Sequence, residues 1–250
     1  MQVEDALAFG FHAVQSLLDK DAASIDRIWV DASRNDSRSA SIQNQAREAG
    51  VHVQRVPKAK LNELAGKDAH HQGIIARVSQ VRTRGEADIE PFVASIEGLP
   101  LLLVLDGVQD PHNLGACLRT AAAVGAHGVI MTRDKSAPLN ATARKSASGA
   151  LEFLTIFQVT NLARALEKIK QLGIWVIGTA GEADSDLYQS NFNLPVAIVM
   201  GSEGKGLRKR TRDLCDSLVR IPIAERMESL NVSVATGVCL YEVMRQRQAG

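Results

Sequence analysis

The chain has few of the features that announce many protein classes. Its three cysteines, Cys117, Cys215 and Cys239, stand far apart in 250 residues and form no CxxC pair. That spacing argues against a zinc site or a disulfide framework and for buried, reduced thiols. No apolar run approaches the roughly 20 residues of a membrane span. The opening MQVEDALAFGFH is acidic and has no long apolar stretch, so no secretory signal is expected, and a cytoplasmic setting is. An excess of one charge is also missing. The formal net charge is +1, so no overall field advertises a nucleic-acid partner, although a local basic patch fits within a neutral total.

Several catalytic signatures are absent too. No GxGxxG follows a strand, and there is no GxxxxGK[ST], GxSxG or HExxH. A nucleotide-binding oxidoreductase therefore lacks its fingerprint. The six histidines show no metal-ligand spacing; His70 and His71 are adjacent and merely precede a strand, so no metal is expected.

What is present describes a soluble globular chain, 45% hydrophobic and 23% charged, long enough for one large domain or two smaller ones. Residues 1–80 alternate helix and strand signals. FHAVQSLLD has helical spacing, IDRIWVD and VHVQRV alternate like half-buried strands, SRSASIQNQAREAG reads as a helix stopped at Gly50, and GIIARV is another strand. Residues 81–98, with Gly85 and Pro91, read as a linker leading into a short helix. From residue 99 to 250 the texture changes. LPLLLVLDG, GVIMT, IWVIGTA and VAIVMG are near-continuous apolar runs separated by helical stretches, the pattern of a parallel sheet covered on both faces.

Ligands of such sheets bind beyond the carboxyl ends of the strands. Here those ends read VLDGVQDPHN, VIGTAGE, VMGSEGKG and RIPIAERMESLN, rich in Gly, Asn, Glu and Ser. In DPHNLGACLR, Asn113 sits where a helix begins, either as an ordinary N-cap or as a site residue. Arg119 follows within two turns, either as a solvated charge or as its partner in one pocket. In SLNVSVATGVCLYE, Ser229, Asn231 and Ser233 crowd the mouth of the last helix, where a cap needs only one of them.

Three stretches, DGVQDPHNLGACLRTAAAVGAHGVI, VMGSEGKGL and IPIAERMESLNVSVATGVCLYE, resemble in order and spacing the three motifs of the SpoU class of knotted RNA 2′-O-methyltransferases. HHQGIIARV resembles the end of the substrate-binding domain in its RlmB-like subfamily, so the likeness runs from about Phe9 to the C-terminus. The resemblance implies an α/β chain with a small L30e-like RNA-binding domain and a parallel-sheet domain with a deep trefoil knot. It further implies S-adenosylmethionine as cofactor, a homodimer, and a guanosine ribose of 23S ribosomal RNA as substrate. Gly201, Ile221 and Leu230 would line the cofactor pocket. Asn113, Arg119, Glu203, Ser229 and Asn231 would surround the reacting ribose, with Arg119 as an electrostatic clamp on the alkoxide or an adjacent phosphate and Glu203 either accepting a proton or orienting Arg119. One departure from the motif is ERME just before SLN, where small residues are usual, so Glu225, Arg226 and Glu228 are expected to alter the loop over the cofactor.

Residues 99–250 carry 17 Lys and Arg against 14 Asp and Glu, and Lys205, Arg208, Lys209, Arg210 and Arg212 crowd together after the cofactor loop. They read either as a phosphate-binding patch or as a solvated helix face. Two alternatives complete the reading: transfer RNA as substrate, and a non-catalytic RNA-binding assembly factor that keeps the fold.

Overall fold

The computed structural model describes every residue except 1, 2, 67, 68, 225 and 250. The chain divides into two compact units, residues 1–81 with 140–142, and residues 82–139 with 143–250.

The smaller unit is built on β1 (Val3–Phe9), β2 (Ile25–Asp31), β3 (His52–Val56) and β4 (Ile74–Val81), in the order β1-β4-β2-β3. β2 and β3 run parallel and the other pairs antiparallel. Strand side chains alternate between faces. Ile28, Val30 and Ile74 therefore pack with Phe11, Val14 and Ile42 of α1 (Phe11–Asp21) and α2 (Ser37–Glu48), whereas Trp29 and Ile75 meet Leu61 of α3 (Lys58–Ala65) on the other face. Asp36 caps α2 by accepting the Ser39 N–H at 2.9 Å. Two elements had no sequence signal. β1 is an edge strand that pairs only with β4, and α3 is a two-turn helix with one buried residue.

The larger unit carries β5 (Leu101–Asp106), β6 (Gly128–Thr132), β7 (Thr155–Val159), β8 (Trp175–Thr179), β9 (Ser185–Asp186), β10 (Val196–Gly201) and β11 (Ser217–Arg220). All pairs are parallel, in the order β7-β6-β5-β10-β8-β11-β9. The apolar runs LLLVL, GVIM and VAIVM are buried throughout, as expected for strands covered on both faces. The helices are α4 (Ile89–Ala94), α5 (Pro111–Ala123), α6 (Ala141–Ala147), α7 (Leu162–Gln171), α8 (Lys209–Leu214) and α9 (Val232–Ala249). On one face Leu102, Val104, Ile130 and Val199 pack against Leu166 and Ile169 of α7. The segment expected as a linker is tied to this unit from Arg84 onward: Ile89 enters the same core, and Glu86 accepts from Arg164 Nε at 2.6 Å.

From β5 the chain steps outward to β6 and β7, then crosses so that β8 lies beyond β10. The direction of winding thus reverses between β5 and β10, which is where open parallel sheets leave a crevice. A fully buried carboxylate stands at that point. Asp106, the last residue of β5, accepts the Arg208 backbone N–H at 2.9 Å, and its other oxygen lies 3.4 Å from Arg208 Nε. The guanidinium lies so close over Gly107 that a Cβ there would come within 2.8 Å of it. This fastens the segment after β10 to the end of β5.

The last helix is held at both ends. Near its C-terminus, Arg247 donates to the carbonyls of Leu99, Pro100, Phe192 and Leu194 at 2.7–3.2 Å. Mid-helix, Thr236 is buried, and its hydroxyl donates to Val232 O at 2.7 Å. The Cys117 thiol then donates to Thr236 Oγ1 at 3.3 Å, joining α5 to α9.

Removing either partner of the Asp106–Arg208 pair should destabilise the chain unequally. Arg208→Ala leaves a buried carboxylate uncompensated and should cost about 3–5 kcal/mol. Asp106→Asn leaves a guanidinium that is already 44% exposed, and should cost about 1–3 kcal/mol. Urea unfolding of both variants measures the order. Burial raises the Cys117 thiol to about 11 and the Cys239 thiol to about 12. Both should therefore resist a thiol reagent at pH 8 until the protein is unfolded, as a timed thiol titration in native and denaturing buffer will show.

Candidate active site

Beyond the carboxyl ends of β8, β10 and β11 lies a cavity of about 590 Å³. Met200, Leu207, Val219, Ile221, Leu230 and Val232 give it apolar walls. Glu182, Glu203 and Glu228 bring carboxylates, and Lys205 and Arg212 bring cations. Of the sequence-derived candidates, Gly201, Glu203, Ile221, Ser229, Leu230 and Asn231 line this one cavity.

The loop after β10 closes on itself. Ser202 and Gly206 exchange both backbone hydrogen bonds at 3.0 Å, with Gly204 and Gly206 at positive φ. The return strand passes directly over Gly201. A Cβ there would sit 2.2 Å from the carbonyl carbon of Gly206 and 2.4 Å from Leu207 N. The missing side chain of Gly201 is therefore required by the loop's own backbone.

Asn113 is not the N-cap of α5. Asp110 fills that role, accepting the His112 N–H at 2.9 Å, with Pro111 at the first helical position. The Asn113 amide is thus free of capping; it does not itself line the cavity but bonds to two residues that do. Its Nδ2 donates to Glu203 Oε1 at 2.9 Å, and its Oδ1 accepts from Asn231 Nδ2 at 3.1 Å. Asn231 in turn accepts the Ser233 N–H at 2.9 Å and the Ser233 hydroxyl at 2.6 Å. Asn231 is therefore cap and site residue together: its oxygen caps α9 and its nitrogen joins the relay. The carboxylate fixes both amides, because Nδ2 of Asn113 must face Glu203 and its oxygen is then the only acceptor left for Asn231. Three loops distant in sequence are joined in one hydrogen-bonded row, Glu203 to Asn113 to Asn231.

Arg119 is not brought into this group. It is exposed on α5 and does not line the cavity. Six residues turn a helix through about 600°, which puts Arg119 some 120° around the axis from Asn113. The basic cluster also divides. Arg208 is engaged by Asp106, and Arg212 pairs with Glu182. Lys205, Lys209 and Arg210 remain exposed. A backbone N–H and the Arg212 guanidinium hold Glu182 below the usual carboxylate range. In the ERME stretch, Glu225 lies outside the described residues, and Glu228 adds a carboxylate to the cavity wall.

Sequence reasoning missed Asp106, Glu182 and the internal pairing of Arg208. Asp106 had a signal, a lone carboxylate closing an apolar strand in LLLVLD. Glu182 had none. Among the described residues, no group of three or more His, Cys, Asp or Glu is placed to hold a metal ion, and no helix is long and apolar enough to cross a membrane.

Residues 100–241 match the model of the SpoU rRNA methylase family, and residues 7–84 match that for RNA 2′-O ribose methyltransferase substrate binding. The chain is 51% identical over 241 residues to the 23S rRNA (guanosine-2′-O-)-methyltransferase RlmB of Ralstonia nicotianae, covering 96% of each chain. It is 50% identical over 239 residues to RlmB of Pseudomonas aeruginosa, again covering 96% of each. The SpoU methyltransferase AviRb from Streptomyces viridochromogenes, solved in complex with AdoMet, shares the fold with a TM-score of 0.64 at 23% identity, covering 98% of this chain and 92% of that one. With its motifs converging on one cavity and one family model spanning most of the larger unit, the chain belongs to the SpoU rRNA methylase family.

Proposed function

We propose that this protein methylates the 2′-hydroxyl of a guanosine in 23S ribosomal RNA, with S-adenosylmethionine as methyl donor. The observation that carries the reading is that the Glu203–Asn113–Asn231 row adjoins a largely apolar-walled cavity beyond β8, β10 and β11, with Glu203 and Asn231 in its lining. The relatives that share half of its residues over nearly their whole length support the choice of RNA.

The cavity fits the cofactor. Its volume lies within the range of small-molecule sites. Ile221 and Leu230 offer an apolar slot for an adenine ring, and Glu182 and Glu228 offer carboxylates to hydroxyl, ammonium and sulfonium groups. When bound, the cofactor supplies a methyl group already activated on a positive sulfur. The chain's own task is to hold a ribose oxygen in line with that methyl and to manage the hydroxyl proton. Positioning of this kind lowers a barrier by up to roughly 7–11 kcal/mol. Glu203 is the carboxylate held at the polar end, and it is assigned as proton acceptor. Asn113 fixes its orientation. Asn231 and Ser229, at the mouth of α9, contact the ribose. Arg119 stands outside the cavity, so its clamp acts on a phosphate of the RNA laid across α5; a guanidinium stays charged and is a poor base.

The small unit is assigned to gripping the RNA, in keeping with the substrate-binding model it matches and the L30e-like fold its sequence suggests. The remaining assignments are a homodimer, a trefoil knot in the larger unit, and a cytoplasmic place of action. The insertion of β10 between β5 and β8, and of β11 between β8 and β9, supports the knot.

Nucleoside mass spectrometry of ribosomal and transfer RNA from a deletion strain tests the substrate. A 2′-O-methylguanosine should disappear from 23S rRNA and return with the wild-type gene. Loss from transfer RNA alone, or from neither, would overturn the assignment. Glu203→Gln should lower kcat by about 10²–10⁴-fold, the usual range for a positioned acid or base. Asn113→Ala should lower it by about 10²–10³-fold. In both, kcat and kcat/KM should fall together while the cofactor Kd, read by calorimetry, moves by less than about threefold. A large rise in Kd at constant kcat would place the residue in the cofactor's binding shell instead.

A further inference from the structure

The smaller unit has a cavity of its own, about 610 Å³, at the end of its sheet where the parallel strands β2 and β3 finish. Asp31 closes β2, Lys58 opens α3, Arg38 lies in the first turn of α2, and the turn of His70 to Gly73 leads into β4. Phe11, the first residue of α1, forms the floor. None of these residues takes part in the site of the larger unit.

Two guanidinium groups gather over the Phe11 ring, Arg34 at 4.4 Å and Arg38 at 5.2 Å from its centroid. Two cations this close to one ring repel each other, so the surroundings must hold them. For Arg34 they do. It is paired with Asp36 and donates to the carbonyl of Gln72. Gln72 reaches that position with a left-handed backbone, φ 54, which costs energy for a residue with a Cβ. The turn is braced by His71, which is buried. Its Nδ1 accepts the Gly73 N–H at 3.1 Å, so its proton sits on Nε2 and faces Asn62 Oδ1 at 2.8 Å. The loop that carries Arg34 is braced as well. Arg55 donates to the carbonyls of Ala32 and Arg34 and to Asn35 Oδ1 at 2.7–2.9 Å, and Asp31 accepts from the Ser33 N–H and hydroxyl.

Arg34 is thus a guanidinium plane locked in place, one face against Phe11, with 37% of its side chain still exposed. Arg38 and Lys58 differ. Both are exposed, and neither has a carboxylate within ion-pair distance among the described residues. The cavity therefore combines an immobilised flat cation with two uncommitted cations. That is the chemistry of an unstacked nucleotide: a base laid on an arginine plane and a phosphate met by mobile positive charges. A duplex offers no such base, because its bases stay stacked.

We propose that this cavity takes one unpaired nucleotide of the RNA substrate, its base stacked on Arg34 and its phosphate held by Arg38 and Lys58. The proposal rests on the RNA substrate assigned above and adds where and in what form the small unit holds it. It requires that the RNA present an unpaired loop or bulge nucleotide.

The test uses the full chain and two fluorescein-labelled RNAs of equal length, a hairpin with an unpaired loop drawn from 23S rRNA and a blunt duplex, with anisotropy as the readout. Arg34→Lys keeps the charge and removes the plane. It should weaken hairpin binding by about 5- to 150-fold, the range for one lost base stack, and leave the duplex unchanged. Arg38→Gln alters an exposed side chain with no internal hydrogen bond, so folding is not at risk. It should flatten the slope of log K against log salt by about 0.7 for the hairpin, the value for one contact to single-stranded RNA. Equal loss on hairpin and duplex would mean that the cations meet only backbone phosphates and would overturn the proposal. Wild-type hairpin affinity in both variants would do so too. Saturable binding of guanosine monophosphate that leaves hairpin binding intact would assign the cavity to a free nucleotide instead. The assay needs no turnover, so its failure is separate from a failure of the methyl-transfer reading.

Discussion

A buried carboxylate that must find its counter-charge organises the larger unit. Asp106 stands at the carboxyl end of β5 with no exposed surface, and the only cation that reaches it among the described residues comes from the far end of the loop after β10. Burying an ion without a partner costs several kcal/mol. The loop therefore cannot open without exposing that cost, and residues 202–208 are held as a tight return over Gly201. This return forms one wall of the cavity and carries Glu203 and Lys205 into it. The shape of the candidate cofactor site follows from an electrostatic requirement outside the site itself.

The same economy appears in the amide row. An asparagine that only caps a helix has its second amide group pointing to solvent. Asn231 uses both, since its oxygen satisfies the free N–H of Ser233 and its nitrogen reaches Asn113. Asn113 is free to answer because Asp110 has taken over capping of α5. Each amide has one orientation that satisfies its neighbours, so Glu203 is aimed without any contribution from substrate. Arg247 completes the arrangement from the other end, since its guanidinium bonds four carbonyls and α9 cannot shift along its axis without breaking them. A rigid last helix keeps its mouth in register with α5.

Much of this was legible in the sequence, for reasons that differ by element. The central strands could be read because burial on both faces leaves only apolar residues, and the loop compositions could be read because a crevice demands polar and small ones. β7 was lost because TIFQV is a short edge strand with no run of its own, and β1 because an edge strand in the open sheet has little apolar pattern. Gly201, Glu203, Ile221, Ser229, Leu230 and Asn231 were gathered by motif and do share one cavity. Arg119 was placed with them by counting turns, and helix geometry turns it away. Ion pairs were invisible throughout, because nothing local distinguishes Arg208, which is fastened to a buried aspartate, from Arg210, which stands in solvent.

That hidden pairing explains how a chain with a net charge of +1 can be suited to RNA without holding all RNA alike. Non-specific grip grows with the number of phosphates neutralised. Here many cations are already committed within the protein: Arg34 to Asp36, Arg164 to Glu86, Arg208 to Asp106, Arg212 to Glu182 and Arg245 to Glu242. Among the described residues, others carry no ion pair, such as Arg38 and Lys58 at the cavity of one unit and Lys205, Lys209 and Arg210 in or next to the cavity loop of the other. A long featureless duplex meets few of them at once. An RNA that presents an unpaired base to the locked Arg34 plane gains a contact that a duplex cannot make. Discrimination is a difference of affinities. Keeping the common part of the affinity small, by pairing several arginines internally, enlarges the share that depends on RNA shape.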